Sequence, residues 1–502
     1  MSTLARLKRG LPVLAAAALF ALPASAAEFR IGLQEDPDIL DPHEARTFVG
    51  RIVFNALCDK LIDTNAKLEF VPRLATSWTV SDEGKTVTFK LRPGVKFHDG
   101  TPFDAAAVKA NIERAKTLKT SRRKSEVKSV ASVEVVDPTT VAFKLTAPDA
   151  PLLAQLSDRA GMMLSPASFD KPVGPNPVCS GPYKFVERVQ NDRIVLERFA
   201  DHWEKDKYHF DKVTFRIIPD STVRLANLRS GQLDMLERLA ASDVKSAKAD
   251  KALKVDSVVG LGYQGISINL NNGPRSETPL GKDKRVRQAL SLAIDREALT
   301  EVVFEGLFEP TAQPFPSSSP YYDKSFPPPK RDVAKAKALL KEAGLDSFSF
   351  EMQVANSPVD QQVAQVIQAM AAEAGIDIKL RSSEFATMLK SQTAGDFQAT
   401  RVGWSGRVDP DGNLHQFVTT GGGINDTKYS NPAVDKELNA SRLVYDIPAR
   451  KAHFDAAGKI LRDELPIIYL YLPAWIWASS AKVDGFVPNP DGMIRLANVK
   501  LK

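Results

Sequence analysis

The 502-residue chain has only two cysteines, Cys58 and Cys179, and six histidines. Two cysteines are too few for a disulfide scaffold or an all-cysteine zinc site, and allow at most one bridge. The histidines, at 43, 98, 202, 209, 415 and 453, are scattered, with no His-Glu-x-x-His motif and no close cysteine. No metal site and no cofactor are therefore expected from the side chains. A Gly-x-Ser-x-Gly elbow and a glycine-lysine phosphate loop are also missing, which removes the usual nucleophile contexts of a hydrolase and favours a non-enzyme.

Long apolar runs are scarce as well. One runs from Leu11 to Leu22, preceded by Arg6, Lys8 and Arg9 and followed by Pro23 and Ala24-Ser25-Ala26. At 12 residues it is short of the ~20 that span a bilayer, so residues 1–26 read as a secretory signal cleaved before Ala27. No cysteine follows the cleavage site to carry a lipid, so a freely soluble periplasmic protein is expected. The other run, Leu465 to Ala478, is broken by Pro466 and Pro473 and suits a buried strand and a crossover. Removing Arg6, Lys8 and Arg9 from 67 Lys+Arg leaves 64 against 61 Asp+Glu. Nucleic-acid binding needs a basic stripe, but the strongest run, Arg122-Arg123-Lys124, is answered by Glu126. No nucleic-acid partner is expected.

What remains is an ordinary globular composition, 43% hydrophobic and 25% charged, over a length that suggests two or three domains. Thr86 to Leu91 and Val141 to Leu145 alternate as half-buried strands, with Asp104 opening a helix between them, which makes one α+β unit. Further on, Phe348 to Val354 reads as a strand. Ser357-Pro358 with Asp360 opens a helix that stops at Gly375, and Ile376 to Leu380 returns to strand. That βαβ unit, preceded by a helix from Asp332 to Ala343, predicts a parallel sheet covered by helices. Pro314 to Lys330, with six prolines, reads as a surface loop.

Two motifs mislead. Gly260-Leu-Gly262-Tyr-Gln-Gly265 fits a dinucleotide fingerprint, but the residues after it alternate as a strand where a helix is required. Asp409-Pro-Asp411-Gly-Asn413 begins like a calcium loop, but Leu414 and Thr420 stand where glycine and glutamate are needed, so it reads as an acidic turn.

Several stretches together resemble the peptide/nickel class (family 5) of extracellular solute-binding proteins that feed ABC importers. They are Ile39 to His43, Leu91 to Phe103, Cys179 to Phe185, Lys284 to Arg296, Ala334 to Gly344 and Gly403-Trp-Ser-Gly406. The resemblance implies an α/β, two-lobed periplasmic binding protein type II fold with an additional α+β domain inserted in the first lobe. By analogy lobe one covers 27–63, 181–267 and 478–502, the inserted domain 64–180 and lobe two 268–477, with crossings near Tyr263 to Asn269 and Ile468 to Trp475. It also implies a small-molecule solute between the lobes, an ABC transporter membrane permease as partner, and a monomer.

The same resemblance places Thr47, Phe48 and Arg51 at the cleft, although Phe48 suits the core equally well. Arg159 lies where relatives bring a basic side chain to the ligand; a surface arginine paired with Asp158 fits the same residues. Tyr263 sits beside the presumed hinge. Trp404 matches the family's pocket tryptophan, and three residues later, where relatives that hold a peptide amine often have aspartate, this chain has Arg407. A carboxylate-bearing ligand gripped by Arg407 is the expectation, with Asp409 as a substitute acid; alternatively Arg407 points away or pairs with Asp409. Cys58 and Cys179 are compatible with one bridge or with two separate buried thiols. The function expected is capture of a peptide-like or anionic solute, the alternatives being an opine-like conjugate or chelated nickel. A secreted hydrolase and a periplasmic chaperone are the competing classes.

Overall fold

The computed structural model describes residues 27–81 and 83–502. The expected signal sequence, residues 1–26, lies outside the described residues.

Three sheets carry the architecture. A seven-stranded sheet is ordered Leu253–Val259, Ala474–Ser480, Met235–Leu236, Glu28–Leu33, Lys212–Ile217, Arg193–Arg198, Tyr183–Val189. A six-stranded sheet is ordered Glu309–Pro310, Ile467–Leu472, Tyr263–Ile268, Ala399–Trp404, Phe348–Ala355, Ile376–Ser383. The third, with four antiparallel strands between Ala75 and Leu145, is covered by the helix Ala105–Thr117, which Asp104 caps. Each sheet has its own apolar core.

Local sequence explains much of this. Phe348–Ala355 and Ile376–Ser383 pair in parallel along their whole length, joined by the helix Pro358–Ala372. Ser357 caps that helix by accepting from the Asp360 N–H at 3.2 Å, and Pro358 fits the first turn because its missing N–H would be unpaired there anyway. Gly375 ends the connection at φ +84°, a left-handed turn that a side chain would strain.

The two sheets are joined by two short crossings. Residues 260–262 lead from Leu253–Val259 into Tyr263–Ile268, and Pro473 separates Ile467–Leu472 from Ala474–Ser480. The Gly260 N–H donates to the Pro473 carbonyl at 3.1 Å, so the crossings touch. A Cβ at Gly262 would sit 1.8 Å from the Trp404 carbonyl oxygen, which leaves glycine as the one residue that fits. The lobe boundaries expected at 267/268 and 477/478 fall inside paired strands: Tyr263–Ile268 pairs on both edges within the six-stranded sheet, and Ala474–Ser480 pairs with Leu253–Val259. The apolar run continues through Pro473 unchanged in character, so hydrophobicity does not mark where the chain changes sheet; the proline does, because it cannot donate to a ladder.

Cys58 and Cys179 form a disulfide, with Cα atoms 4.8 Å apart and 121 residues of separation.

Buried ionisable groups set a pH profile. Burial pushes the Glu35 carboxyl up to about 7 and that of Asp149 to about 6, while it holds His43 down at about 3 and His98 at about 4. Asp59 and Asp63 are driven well below the usual carboxylate range, because Arg73 and Arg495 with Lys60 outweigh the burial that opposes ionisation. As pH falls from 8 to about 6.5, Glu35 and Asp149 bind protons in the folded state only, so stability rises. Below about 6.5 the two histidines bind protons only when unfolded, which cancels the gain. Below about 4 the unfolded state alone protonates Asp59 and Asp63, and stability is lost. Urea midpoints are therefore expected to peak between about pH 5 and 7; a midpoint still rising from pH 7 to 9 contradicts the assignment.

Candidate functional site

A cavity of about 200 Å³, far more than one water needs, lies at the two crossings and is lined from both sheets. The seven-stranded side supplies Glu35, Thr47, Phe48, Arg238 and Trp475; the six-stranded side supplies Asp360, Arg401 and Trp404; Arg123 and Arg159 reach in from the segment between 64 and 180. A second cavity, of about 290 Å³, lies under the proline-rich loop against Arg296, Phe315 and Phe454, all belonging to the six-stranded half. Ligand capture by closing lobes requires walls from both halves, and of these two cavities the first has them.

Phe48 and Thr47 begin the helix Phe48–Leu57. Thr47 caps it, its hydroxyl accepting from the Gly50 N–H at 3.3 Å and donating to Asp38 Oδ1 at 3.0 Å, so the hydroxyl is already engaged. Phe48 stacks on Trp475 with ring centroids 4.2 Å apart and the Arg238 guanidinium 4.9 Å from its own. It is both core and cavity wall. Trp404 ends the strand Ala399–Trp404, where its Nε1–H donates to Asn413 Oδ1 at 3.1 Å and Phe417 meets its ring edge-on at 4.9 Å.

Arg407 takes a different place from the one expected. Its Nε pairs with Asp158 Oδ2, its Nη1 donates to the Gly406 carbonyl at 2.7 Å, and the guanidinium lies 4.0 Å over the Trp404 ring. It stands behind the cavity wall, not in the lining. Arg51 shares the same acid, Nε to Asp158 Oδ1 at 3.1 Å, and its Nη1 donates to Ser405 Oγ at 3.1 Å. Asp409 is held by Arg450 through two bonds of 2.8 Å and Asp411 by Arg442 at 2.8 and 2.7 Å, so neither acid faces the cavity. Tyr263 is packed edge-on against Tyr469 at 4.7 Å, in the core and outside the lining. The first residue of a strand between two others points into whichever layer its register dictates, which hinge proximity alone does not reveal.

Arg159 does line the cavity. It is 1% exposed, its Nη1 donates to the Ala45 carbonyl at 2.6 Å, and its Nε has no partner. Arg123 donates to the same carbonyl at 3.3 Å and pairs with Glu126, and its Nε is unpartnered too. Four buried guanidiniums, Arg51, Arg123, Arg159 and Arg407, thus meet two carboxylates, Asp158 and Glu126. The surplus is felt: burial, reinforced by Arg123, pushes Arg159 down to about 9, and burial with Arg51 disfavours the charge on Arg407 against the pull of Asp158.

The lobes are in contact around the cavity. Arg46, beside Thr47, pairs with Asp426 at 2.7 Å and donates to Thr393 Oγ1 at 2.8 Å, both in the other lobe. Sequence reasoning missed Arg46, Arg123, Arg238, Arg401 and Glu35; a charged Arg401 in the middle of the strand Ala399–Trp404 was the one local signal available. Among the described residues no group of three or more His, Cys, Asp or Glu is arranged to hold a metal ion, and no helix is long and apolar enough to cross a membrane.

Comparison with known proteins fits this geometry. The family model for bacterial extracellular solute-binding proteins, family 5 (middle), matches residues 69–426. The glutathione-binding protein GsiB of Pectobacterium atrosepticum is 31% identical over 479 residues, 92% of each chain, and GsiB of Salmonella typhi is 30% identical over 504 residues, 97% of each. Among solved structures, the Helicobacter pylori periplasmic binding protein DppA in complex with the peptide STSA superposes with a TM-score of 0.87 at 26% identity, covering 95% of this chain and 98% of that one. AgaA of A. tumefacien R10 with agropinic acid does so at 0.85 and 26%, covering 95% and 99%. NikA from Staphylococcus aureus, at 22% identity and TM-score 0.86 over 95% and 100% of the two chains, shares the fold. The chain belongs to the bacterial extracellular solute-binding proteins of family 5.

Proposed function

We propose that the cleft captures a small peptide-like solute bearing a carboxylate, of the glutathione kind that the curated relatives' names point to, and presents it in the periplasm, as a monomer, to an ABC permease. The observation that carries this reading is the surplus of buried guanidinium charge at the cavity. An unmatched buried charge costs several kcal/mol, and a ligand carboxylate entering the closed cleft would offset it. In this reading Arg159 and Arg123 meet the anion, Trp404 and Phe48 supply the apolar walls, and Arg51 and Arg407 act through Asp158. An opine-like conjugate is the second reading, supported by the agropinic acid complex of AgaA; it too presents a carboxylate.

Glutathione at about a hundred times its Kd should stabilise the protein by roughly 2.7 kcal/mol, visible as a thermal shift. Arg159→Met tests the anchor. Ala45 O keeps its Arg123 donor, so the ligand-free melting temperature should not fall, whereas calorimetric affinity for glutathione should drop more than tenfold, the usual scale for a lost charge-assisted contact. Unchanged affinity removes Arg159 from the site, and no thermal shift with glutathione, dipeptides or opines removes the function.

A further inference from the structure

The opposite wall of the cavity carries the complementary charge. Glu35, just after the strand Glu28–Leu33, is 8% exposed and lines the cavity, and its Oε1 has no hydrogen-bond partner. Its nearest cation, Arg238, lies 3.6 Å from Oε2 but 3.3 Å from Glu237, whose other oxygen accepts from the Gln34 N–H at 2.8 Å. From the other lobe Asp360 lines the same cavity, anchored by Arg401 and by the Ser357 hydroxyl. Around Glu35 the carboxylates of Glu237, Asp360 and Glu384 disfavour its charge, and the Arg238 guanidinium favours it. Arg238 does not offset them: burial, with Glu237, Asp360 and Glu384 adding to it, pushes the Glu35 carboxyl up to about 7.

We propose that a primary ammonium group on the ligand is held by Glu35 Oε1, with Asp360 closing on it from the opposite lobe. A buried carboxylate oxygen without a donor is costly, and an N–H donor bearing positive charge satisfies it in hydrogen bonding and charge together. A divalent metal wants more free oxygens than this wall offers. The stack of Phe304, Phe308 and Tyr471 beside Arg401 adds ring faces that attract an ammonium. With the Trp404 end cationic, a zwitterionic ligand has one orientation: carboxylate towards Arg159, ammonium towards Glu35. Because Glu35 and Asp360 belong to different lobes, the ammonium also favours the closed state.

The inference rests on the peptide-like reading of the cleft, so its test carries arms that separate the two. Wild type and Glu35→Gln are titrated calorimetrically with glutathione and with N-acetylglutathione, and thermal shifts are recorded with propylammonium chloride. Glutathione should bind Glu35→Gln at least tenfold more weakly than wild type, N-acetylglutathione should bind both equally, and Glu35→Gln should melt no lower than wild type. Equal glutathione affinity for the two proteins overturns the ammonium site and leaves the peptide reading standing. If neither glutathione nor dipeptides bind wild type, a propylammonium shift in wild type that is absent in Glu35→Gln keeps the site without the peptide reading, and no shift in either overturns it.

Discussion

Asp158→Asn is expected to destabilise the protein by about 3–5 kcal/mol, the cost of removing one partner from a buried ion pair. Its carboxylate side chain is 8% exposed and serves Arg51 through one oxygen and Arg407 through the other. Asparagine keeps the shape and loses the charge, leaving four buried guanidiniums against Glu126 alone. Burial by itself would raise the Asp158 carboxyl; Arg407 and Arg51 outweigh it and hold it well below the usual range, so its contribution is present above about pH 4 and lost as pH falls below that. Arg407 lies in the six-stranded half and Asp158 in the segment before residue 180, so the loss also weakens the contact between the moving parts. Ligand affinity should fall with the population of the closed form. Urea denaturation at pH 7 reads the first effect. Arg407→Gln in the same chain should restore part of the loss by removing one uncompensated charge, giving a coupling energy in a double-mutant cycle. Strictly additive effects would show that Asp158 and Arg407 do not act as a pair.

Arg407 shows where sequence reasoning ran out. Its position after Trp404 marks a departure from the family pattern, but its partner is Asp158, 249 positions earlier and on another element. Pairings of that range are fixed by how the lobes close, which no local pattern records. Glu35 and Arg123 escaped for the same reason: each stands in a short charged run of an irregular segment, and only the fold buries it at the cavity with one side-chain atom, Glu35 Oε1 or Arg123 Nε, left without a partner.

Local chemistry fared better. Ser357, Pro358 and Asp360 announce a helix start by hydrogen bonding that spans three residues, and the structure adds that the Asp360 carboxylate of that motif also reaches Arg401 in the cleft. The glycines at 260 and 262 mark the crossing because two backbones approach there with no room for a Cβ. Their likeness to a nucleotide loop fails because a strand follows, a distinction that period-two alternation already draws.

Removing the disulfide, as Cys58→Ser with Cys179→Ser, is expected to cost about 5 kcal/mol, the chain-entropy value for a loop of roughly this length. The bridge ties the C-cap of the helix Phe48–Leu57 to the point where the chain returns from the four-stranded unit, so it closes the neck of that unit. Backbone contacts at the neck persist without it: the His98 N–H donates to the Cys179 carbonyl at 2.8 Å, and Leu164 pairs with Cys179. The native structure should therefore survive while the unfolded chain gains freedom. The helix also carries Phe48 and Arg51, yet neither cysteine lines the cavity, so glutathione affinity should change by less than about threefold, within the modest range of effects remote from a site. Urea midpoints of the double variant and of wild type with and without reductant, with thiol labelling to confirm reduction, measure the stability term. Equal midpoints for bridged and reduced protein would assign the neck's stability to its backbone contacts and not to the bridge.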